Sequence, residues 1–125
     1  MAIDRAVLCR NFTQFHDVFK SHADSIEKLI DELVAELKTV LIGPFLTEFA
    51  EAMDKATTTE ERIKAVNAAG AKLYKLLQSL GPAPLEPWPG QALELLEHLL
   101  KLLDALAALR KLEAAMGDHM QDWCG

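Results

Sequence analysis

Four histidines are the side chains best suited to acid–base or metal chemistry near neutral pH: His16, His22, His98 and His119. A metal site in a helical bundle usually takes Glu and His three residues apart, or two His one turn apart, on an inward face. Glu94 and His98 are the nearest such pair, but they are four residues apart and lie off the main leucine stripe. We therefore expect no metal site and no bound cofactor.

Among the four histidines, His22 is the best candidate for a catalytic residue. It falls on the apolar side of the first predicted helix, and Asp24 supplies a nearby carboxylate that could pair with it as a general base. A histidine in that position is more often a core or boundary residue bonded to a backbone carbonyl, and this is the prediction for His22. His16 beside Asp17 is expected to be a surface or boundary pair. We assign no catalytic residue and predict that the chain is not an enzyme, with a His22-based activity as the less favoured alternative.

The two cysteines, Cys9 and Cys124, stand near opposite ends of the chain. Two cysteines are too few for a disulfide framework, so reduced thiols are predicted, with a single bridge between the ends as the alternative. The last residues also bring together Asp118, His119 and Cys124, whose groups could ligate a metal. We expect no fixed site there, because helix ends at a terminus fray.

Charge and composition exclude several kinds of partner. The 125 residues carry 13 basic and 19 acidic side chains, a formal net charge of −6, and no basic cluster forms anywhere. Nucleic-acid binding is therefore not expected, because it needs Lys and Arg to neutralise phosphates. The six glycines are scattered, which excludes a phosphate-binding loop. The first residues lack the pattern of a signal peptide, and no apolar run approaches ~20 residues, so a cytoplasmic protein without stable membrane insertion is predicted.

The spacing of apolar residues predicts helices throughout. Residues 4–42 carry apolar side chains at steps of mostly three and four, with His22 filling one slot: Leu8, Phe12, Phe15, Phe19, Ile26, Ile30, Leu33, Leu37 and Val40. Ser21 and Asp24 resemble a helix-capping pair, so a break here is favoured, giving helices at about 4–21 and 24–42. One continuous helix is the alternative.

Turn and capping residues place the remaining elements. Gly43-Pro44 opens a helix at 44–56, and Thr58 with Glu61 caps a helix at 59–80. Four of the five prolines lie in 81–90, which predicts an extended linker whose Leu85 and Trp88 pack onto the bundle. The last helix is expected at 91–121. The predicted fold is an all-α, up-and-down bundle of four to five helices, forming a single domain over 1–125.

The last helix carries more apolar surface than one partner helix can cover. A leucine stripe runs beside a second one, so this helix must be buried on more than one side, in its own bundle or against a partner. Its interface candidates are Leu95, Leu99, Leu102, Leu106, Leu109, Met116, Met120 and Trp123.

The predicted function follows from this surplus apolar face. It is a non-enzymatic interaction or assembly module, an adaptor or an oligomerisation bundle, whose partner is another protein or a second copy in a homodimer. The alternative, suggested by the phenylalanines of the first helix and of 45–49, is a carrier or sensor of an apolar ligand or lipid in the bundle core.

Overall fold

A computed structural model describes residues 3–80 and 87–125. These described residues form four helices: α1 (Arg5–Val40), α2 (Pro44–Lys55), α3 (Thr59–Leu80) and α4 (Trp88–Cys124). These residues include no strand, and the helices pack as in a helical bundle, which confirms the predicted all-α fold class. Within the same ranges, every helix is too short or too polar to span a bilayer.

The first helix does not break near His22. The preference for two helices at 4–21 and 24–42 is wrong, because α1 is one helix of 36 residues. Asp24 does not cap a new helix; its carboxylate accepts hydrogen bonds from Lys20 and Arg110 instead. The true N-terminal cap is Asp4, whose Oδ1 accepts from the backbone N–H groups of residues 6 and 7 at 3.0 and 3.2 Å.

The connections around α2 and α3 follow the predicted turn chemistry. Gly43 has a φ of +60°, a conformation that glycine adopts without steric cost, and Pro44 opens α2. The cap of α3 is confirmed, since the Glu61 N–H donates to Thr58 Oγ1 at 3.1 Å. The Glu61 side chain reaches back to the backbone N–H and hydroxyl of Thr57, both at 3.3 Å, rather than to Thr58.

The last helix begins before its predicted start. The sequence predicted a linker over 81–90, but Trp88 to Gly90 already belong to α4, and Pro89 fits the first turn because it needs no N–H partner there. Trp88 packs edge-on against Phe45 of α2, with ring centroids 5.6 Å apart, which agrees with the prediction that Trp88 packs onto the bundle. Residues 81–86, including Leu85, lie outside the described residues.

The chain divides into two compact units. Unit 1 comprises Met1–Glu27 and Ala105–Gly125, and unit 2 comprises Lys28–Asp104. Unit 2 has an apolar core of fully buried side chains, the largest being Ile30, Leu37, Phe49, Leu73, Leu96, Leu99 and Leu103. Among the described residues of unit 1, only Ala23 and Leu106 are buried. That a single domain covers 1–125 stays a prediction.

Candidate interaction surface

A disulfide joins the two helix segments of unit 1. Cys9 on α1 and Cys124 at the end of α4 are bonded, with an S–S distance of 2.02 Å and Cα atoms 5.0 Å apart. The prediction of two reduced thiols is therefore wrong, and the alternative of one bridge between the ends is correct. Only the antiparallel pairing of α1 with α4 brings together two cysteines separated by 115 positions, and helical spacing does not encode that pairing.

Charged side chains occupy the middle of the contact between α1 and α4 in unit 1. The Arg110 guanidinium lies 3.0 Å from an Asp24 oxygen, 2.9 Å from Glu27 and 2.8 Å from Glu113. Lys20 Nζ lies 2.9 Å from the other Asp24 oxygen. Hydrogen bonds from Lys20 and then Arg110 lower the pKa of Asp24, while Asp24 raises the pKa of Lys20. The carboxylates, Glu113 first and then Glu27, raise the pKa of Arg110.

Polar side chains also fill the contact between the disulfide and Arg110. Thr13 Oγ1 lies 3.9 Å from Cys124 Sγ and donates to the backbone carbonyl of Cys9 at 2.8 Å. His16 is half-buried, with Nε2 3.9 Å from Glu113 and Nδ1 3.4 Å from Asp17, so the predicted boundary pair with Asp17 is present. The residues of α1 that face α4 in unit 1 therefore form a largely polar seam.

Several apolar side chains of unit 1 are exposed outside this seam. Phe15, Val18 and Leu112 are 54%, 49% and 43% exposed, although the sequence predicted Phe15 to face inward. Phe12 on α1 stacks on His119 of α4, with ring centroids 4.6 Å apart and planes inclined by 17°. Because this pair bridges the two helices, their apolar stripes adjoin on one side of unit 1.

We call this side the uncharged face. On each helix segment, this face spans an arc of roughly 140° or more around the helix axis. No position within either arc is Asp, Glu, Lys or Arg. On α1 the face consists of Val7, Leu8, Asn11, Phe12, Gln14, Phe15, Val18, Phe19, His22, Ser25 and Ile26. On α4 it consists of Ala105, Ala108, Leu109, Leu112, Ala115, Met116, His119, Met120 and Trp123.

The predicted interface residues of the last helix divide into three groups. Two of them are buried within the chain itself and form core rather than contact surface: Leu99 and Leu106. Two are half-buried in unit 2: Leu95 and Leu102. The other four are half-buried and lie on the uncharged face: Leu109, Met116, Met120 and Trp123. The sequence reasoning missed the contribution of α1 and of Leu112, because it counted the phenylalanine stripe as core.

The histidines form no common site. His22 is exposed on the uncharged face, which corrects its prediction as a core or boundary residue; its neighbour Ala23 takes the buried position. His98 is exposed on α4 in unit 2. Among residues 3–80 and 87–125, no three His, Cys, Asp or Glu side chains are grouped closely enough to hold a metal ion.

The end of α4 is held by contacts beyond the disulfide. The Arg5 guanidinium donates to the backbone carbonyl of Asp122 at 2.6 Å and lies over the Trp123 ring, 5.0 Å from its centroid. The expectation of a frayed tail is therefore wrong for residues 118–124, which are helical.

Unit 2 contains an apolar cavity of about 120 Å³ between α2 and α3. Its walls are mainly alanine, leucine and phenylalanine, and the Glu48–Lys72 ion pair borders it. An engineered cavity of about 150 Å³ holds benzene, so this cavity is too small for an acyl chain.

Comparison of the chain with protein-family models, with curated proteins and with solved structures finds no match.

Proposed function

We propose that this chain is a non-enzymatic assembly module that pairs with a second copy of itself through the uncharged face of unit 1. The observation that carries the proposal is the exposure of Phe15, Val18 and Leu112 outside a largely polar seam, while Ala23 and Leu106 are the only buried side chains among the described residues of unit 1. Two helices form one layer, and a layer with an apolar side is stable when a second layer covers that side.

The polar seam is unusual for a helix contact. Packed helices normally place their apolar side chains against each other, because burial of apolar area drives the contact. In unit 1 the disulfide, His16 and the carboxylates around Arg110 take those positions, while Phe15, Val18 and Leu112 remain exposed. A contiguous apolar patch that the chain does not cover itself is typical of an interface.

The face is large enough for a stable dimer. Each helix segment in unit 1 is roughly 30 Å long, and two packed helices are about 20 Å wide. The face therefore offers on the order of 600 Å² per chain, or ~1,200 Å² for a pair, which reaches the size of specific interfaces.

The uncharged face suits a second copy as the occupant. With a net charge of −6, two copies repel each other at long range, so they associate best through a surface that adds no close contacts between like charges. The uncharged face provides such a surface. A two-fold axis through it would place α1 and α4 segments of both copies around one core, as in a four-helix bundle.

The test replaces two exposed apolar residues of the face, Phe15→Glu with Leu112→Glu, and compares sedimentation of the disulfide-bonded chains from low to high micromolar concentration. Ile42→Glu with Tyr74→Glu is the matched control, because it adds the same two charges at residues that are 53% and 57% exposed but lie in unit 2. We expect a dimer for the unaltered chain and for the control, and a folded monomer for the double variant. A monomeric unaltered chain, or a double variant that still dimerises, would overturn the proposal.

The cavity between α2 and α3 favours a second candidate function, the binding of a small apolar molecule of about benzene size. Ala69 lines the cavity, so Ala69→Leu should fill it. Benzene should raise the melting temperature of the unaltered chain and not that of Ala69→Leu, because a ligand stabilises only the state that binds it. An equal response of both chains would exclude the site.

The absence of a nucleic-acid partner and the cytoplasmic location stay predictions. The first rests on the acidic net charge. In a reducing cytoplasm a disulfide is usually transient and serves redox sensing, so we expect the Cys9–Cys124 bond to be reversible there.

A further inference from the structure

We infer that the Cys9–Cys124 disulfide controls assembly, so that the oxidised chain pairs and the reduced chain does not. This inference rests on the proposed function, because it concerns the same uncharged face. The bond ties the second turn of α1 to the last residue of α4.

Besides the bond, this end of unit 1 is held by the Arg5 contacts to Asp122 and Trp123 and by the Phe12–His119 stack. All of these contacts are made by exposed or half-buried side chains.

The two buried side chains of the described part of unit 1 are far from the bond: Ala23 is about 20 Å along α1 from Cys9, and Leu106 is about 27 Å along α4 from Cys124. The half-exposed ion pairs of Arg110 and the contacts of His16 lie between the bond and these two buried side chains. Ion pairs of that exposure contribute little to stability.

The uncharged face exists only while α1 and α4 stay side by side. Phe12 and Phe15 come from one helix, and Leu112, His119 and Trp123 come from the other. If the ends separate, the face divides into two single-helix surfaces, each with about half the area and too small for a stable dimer. The Cys9–Cys124 bond prevents that separation directly, because it holds the Cα atoms of the two helix ends 5.0 Å apart.

Reduction by a dithiol is chemically simple at this position. Cys124 is exposed and Cys9 is half-buried, so a thiolate of the reductant can attack Cys124 Sγ. The Cys9–Cys124 bond breaks, and Cys9 leaves as a thiolate that takes up a proton. The second thiol of the reductant then displaces Cys124, which is protonated in turn. The chain gains two electrons and two protons, and the dithiol becomes a cyclic disulfide.

The experiment compares the oxidised chain, the dithiothreitol-reduced chain and a Cys9→Ser/Cys124→Ser variant, by sedimentation and by amide hydrogen exchange. We expect reduction to weaken dimerisation by about tenfold or more. Exchange should accelerate in residues 5–20 and 110–124 and stay unchanged in α3. The double-serine variant should match the reduced chain and show no response to the reductant.

Two failures are distinguishable. An oxidised chain that stays monomeric overturns the proposed assembly itself. An oxidised dimer whose dissociation constant does not change on reduction, or a double-serine variant that dimerises as tightly, overturns the redox control and leaves the assembly proposal standing.

Discussion

Arg110 shows how unit 1 arranges charge at a helix contact. Its guanidinium reaches three carboxylates, Asp24, Glu27 and Glu113, and the Asp24 carboxylate is shared with Lys20. Most of these groups are partly exposed, so water screens their attraction and the network adds little to the free energy of unfolding. Its geometric effect is larger, because a planar guanidinium with several partners fixes the register of α1 against α4.

Asp24 gives this network a defined pH dependence. Hydrogen bonds from Lys20 and Arg110 lower its pKa below 3.8, so its stabilising contribution is present above pH 3.8 and is lost as the pH falls through the folded-state pKa. We expect Asp24→Asn to be slightly less stable than the unaltered chain at neutral pH and equally stable in strong acid. Urea unfolding at both pH values measures this, and a difference that persists in acid would contradict it.

Leu99 tests the core of unit 2. Its side chain is fully buried, so Leu99→Asp places an unpaired carboxylate in an apolar interior at a cost of several kcal/mol, roughly, and should unfold this unit. Ile42→Asp is the control, because Ile42 is an exposed aliphatic side chain of the same unit. Thermal unfolding followed by circular dichroism should show a large loss for Leu99→Asp only. An unchanged melting temperature would mean that Leu99 faces water.

Individual residues show where sequence reasoning succeeds and where it stops. Leu99 and Leu106 lie on the strongest stripe of the chain and are buried. Phe15 and His22 also lie on a stripe, yet both are exposed, while Ala23 is buried between polar neighbours. Periodicity identifies an apolar side of a helix, but it does not say whether that side meets the chain's own core or remains at the surface.

At the scale of elements, α1 is the main departure from expectation. A helix of 36 residues exceeds the usual length, but residues 21–25 contain neither Gly nor Pro to interrupt it. The capping pattern of Ser21 and Asp24 was misleading because Asp24 has stronger partners in Lys20 and Arg110.

Proline substitution tests the continuity of α1. Ser21 is exposed in the helix interior, so Ser21→Pro should cost about 3 kcal/mol or more, because it removes a backbone hydrogen bond and clashes with the preceding turn. Ser21→Ala should be within about 0.5 kcal/mol of the unaltered chain. Unfolding in urea separates the two. A proline variant as stable as the alanine variant would indicate a break at this position.

Thr58 tests the start of α3. Its hydroxyl accepts the N–H of Glu61, so Thr58→Ala should lower the free energy of unfolding by about 0.5–2 kcal/mol, while Thr58→Asp should keep the cap. Equilibrium denaturation of both variants checks this. Equal losses for the two substitutions would show that the side chain does not act as a cap.

At the scale of the molecule, the fold class could be read from the sequence and the pairing of its parts could not. Apolar steps of three and four, together with capping residues, are local signals, and they place helices well. The Cys9–Cys124 bond, the polar seam and the uncharged face all depend on which helix segments lie together. The face forms only when its α1 stripe, which ends at Ile26, adjoins its α4 stripe, which begins 79 positions later at Ala105.

Assembly through an uncharged face should depend weakly on salt. Electrostatic screening changes the affinity of interfaces held by ion pairs, and none of the face positions carries Asp, Glu, Lys or Arg. We expect the dimer dissociation constant to stay nearly constant, or to fall slightly, as sodium chloride rises from low to high concentration, because salt also screens the net charge of −6. A marked weakening at high salt would point to a charged interface instead.

The Cys9–Cys124 bond also determines how the molecule would carry mechanical load. Tension applied to the two ends of the oxidised chain would pass directly through the two sulfur atoms and bypass the 114 residues between them. The helices would remain unstretched until the bond was cut, and only a reduced chain could be pulled out to its full contour length.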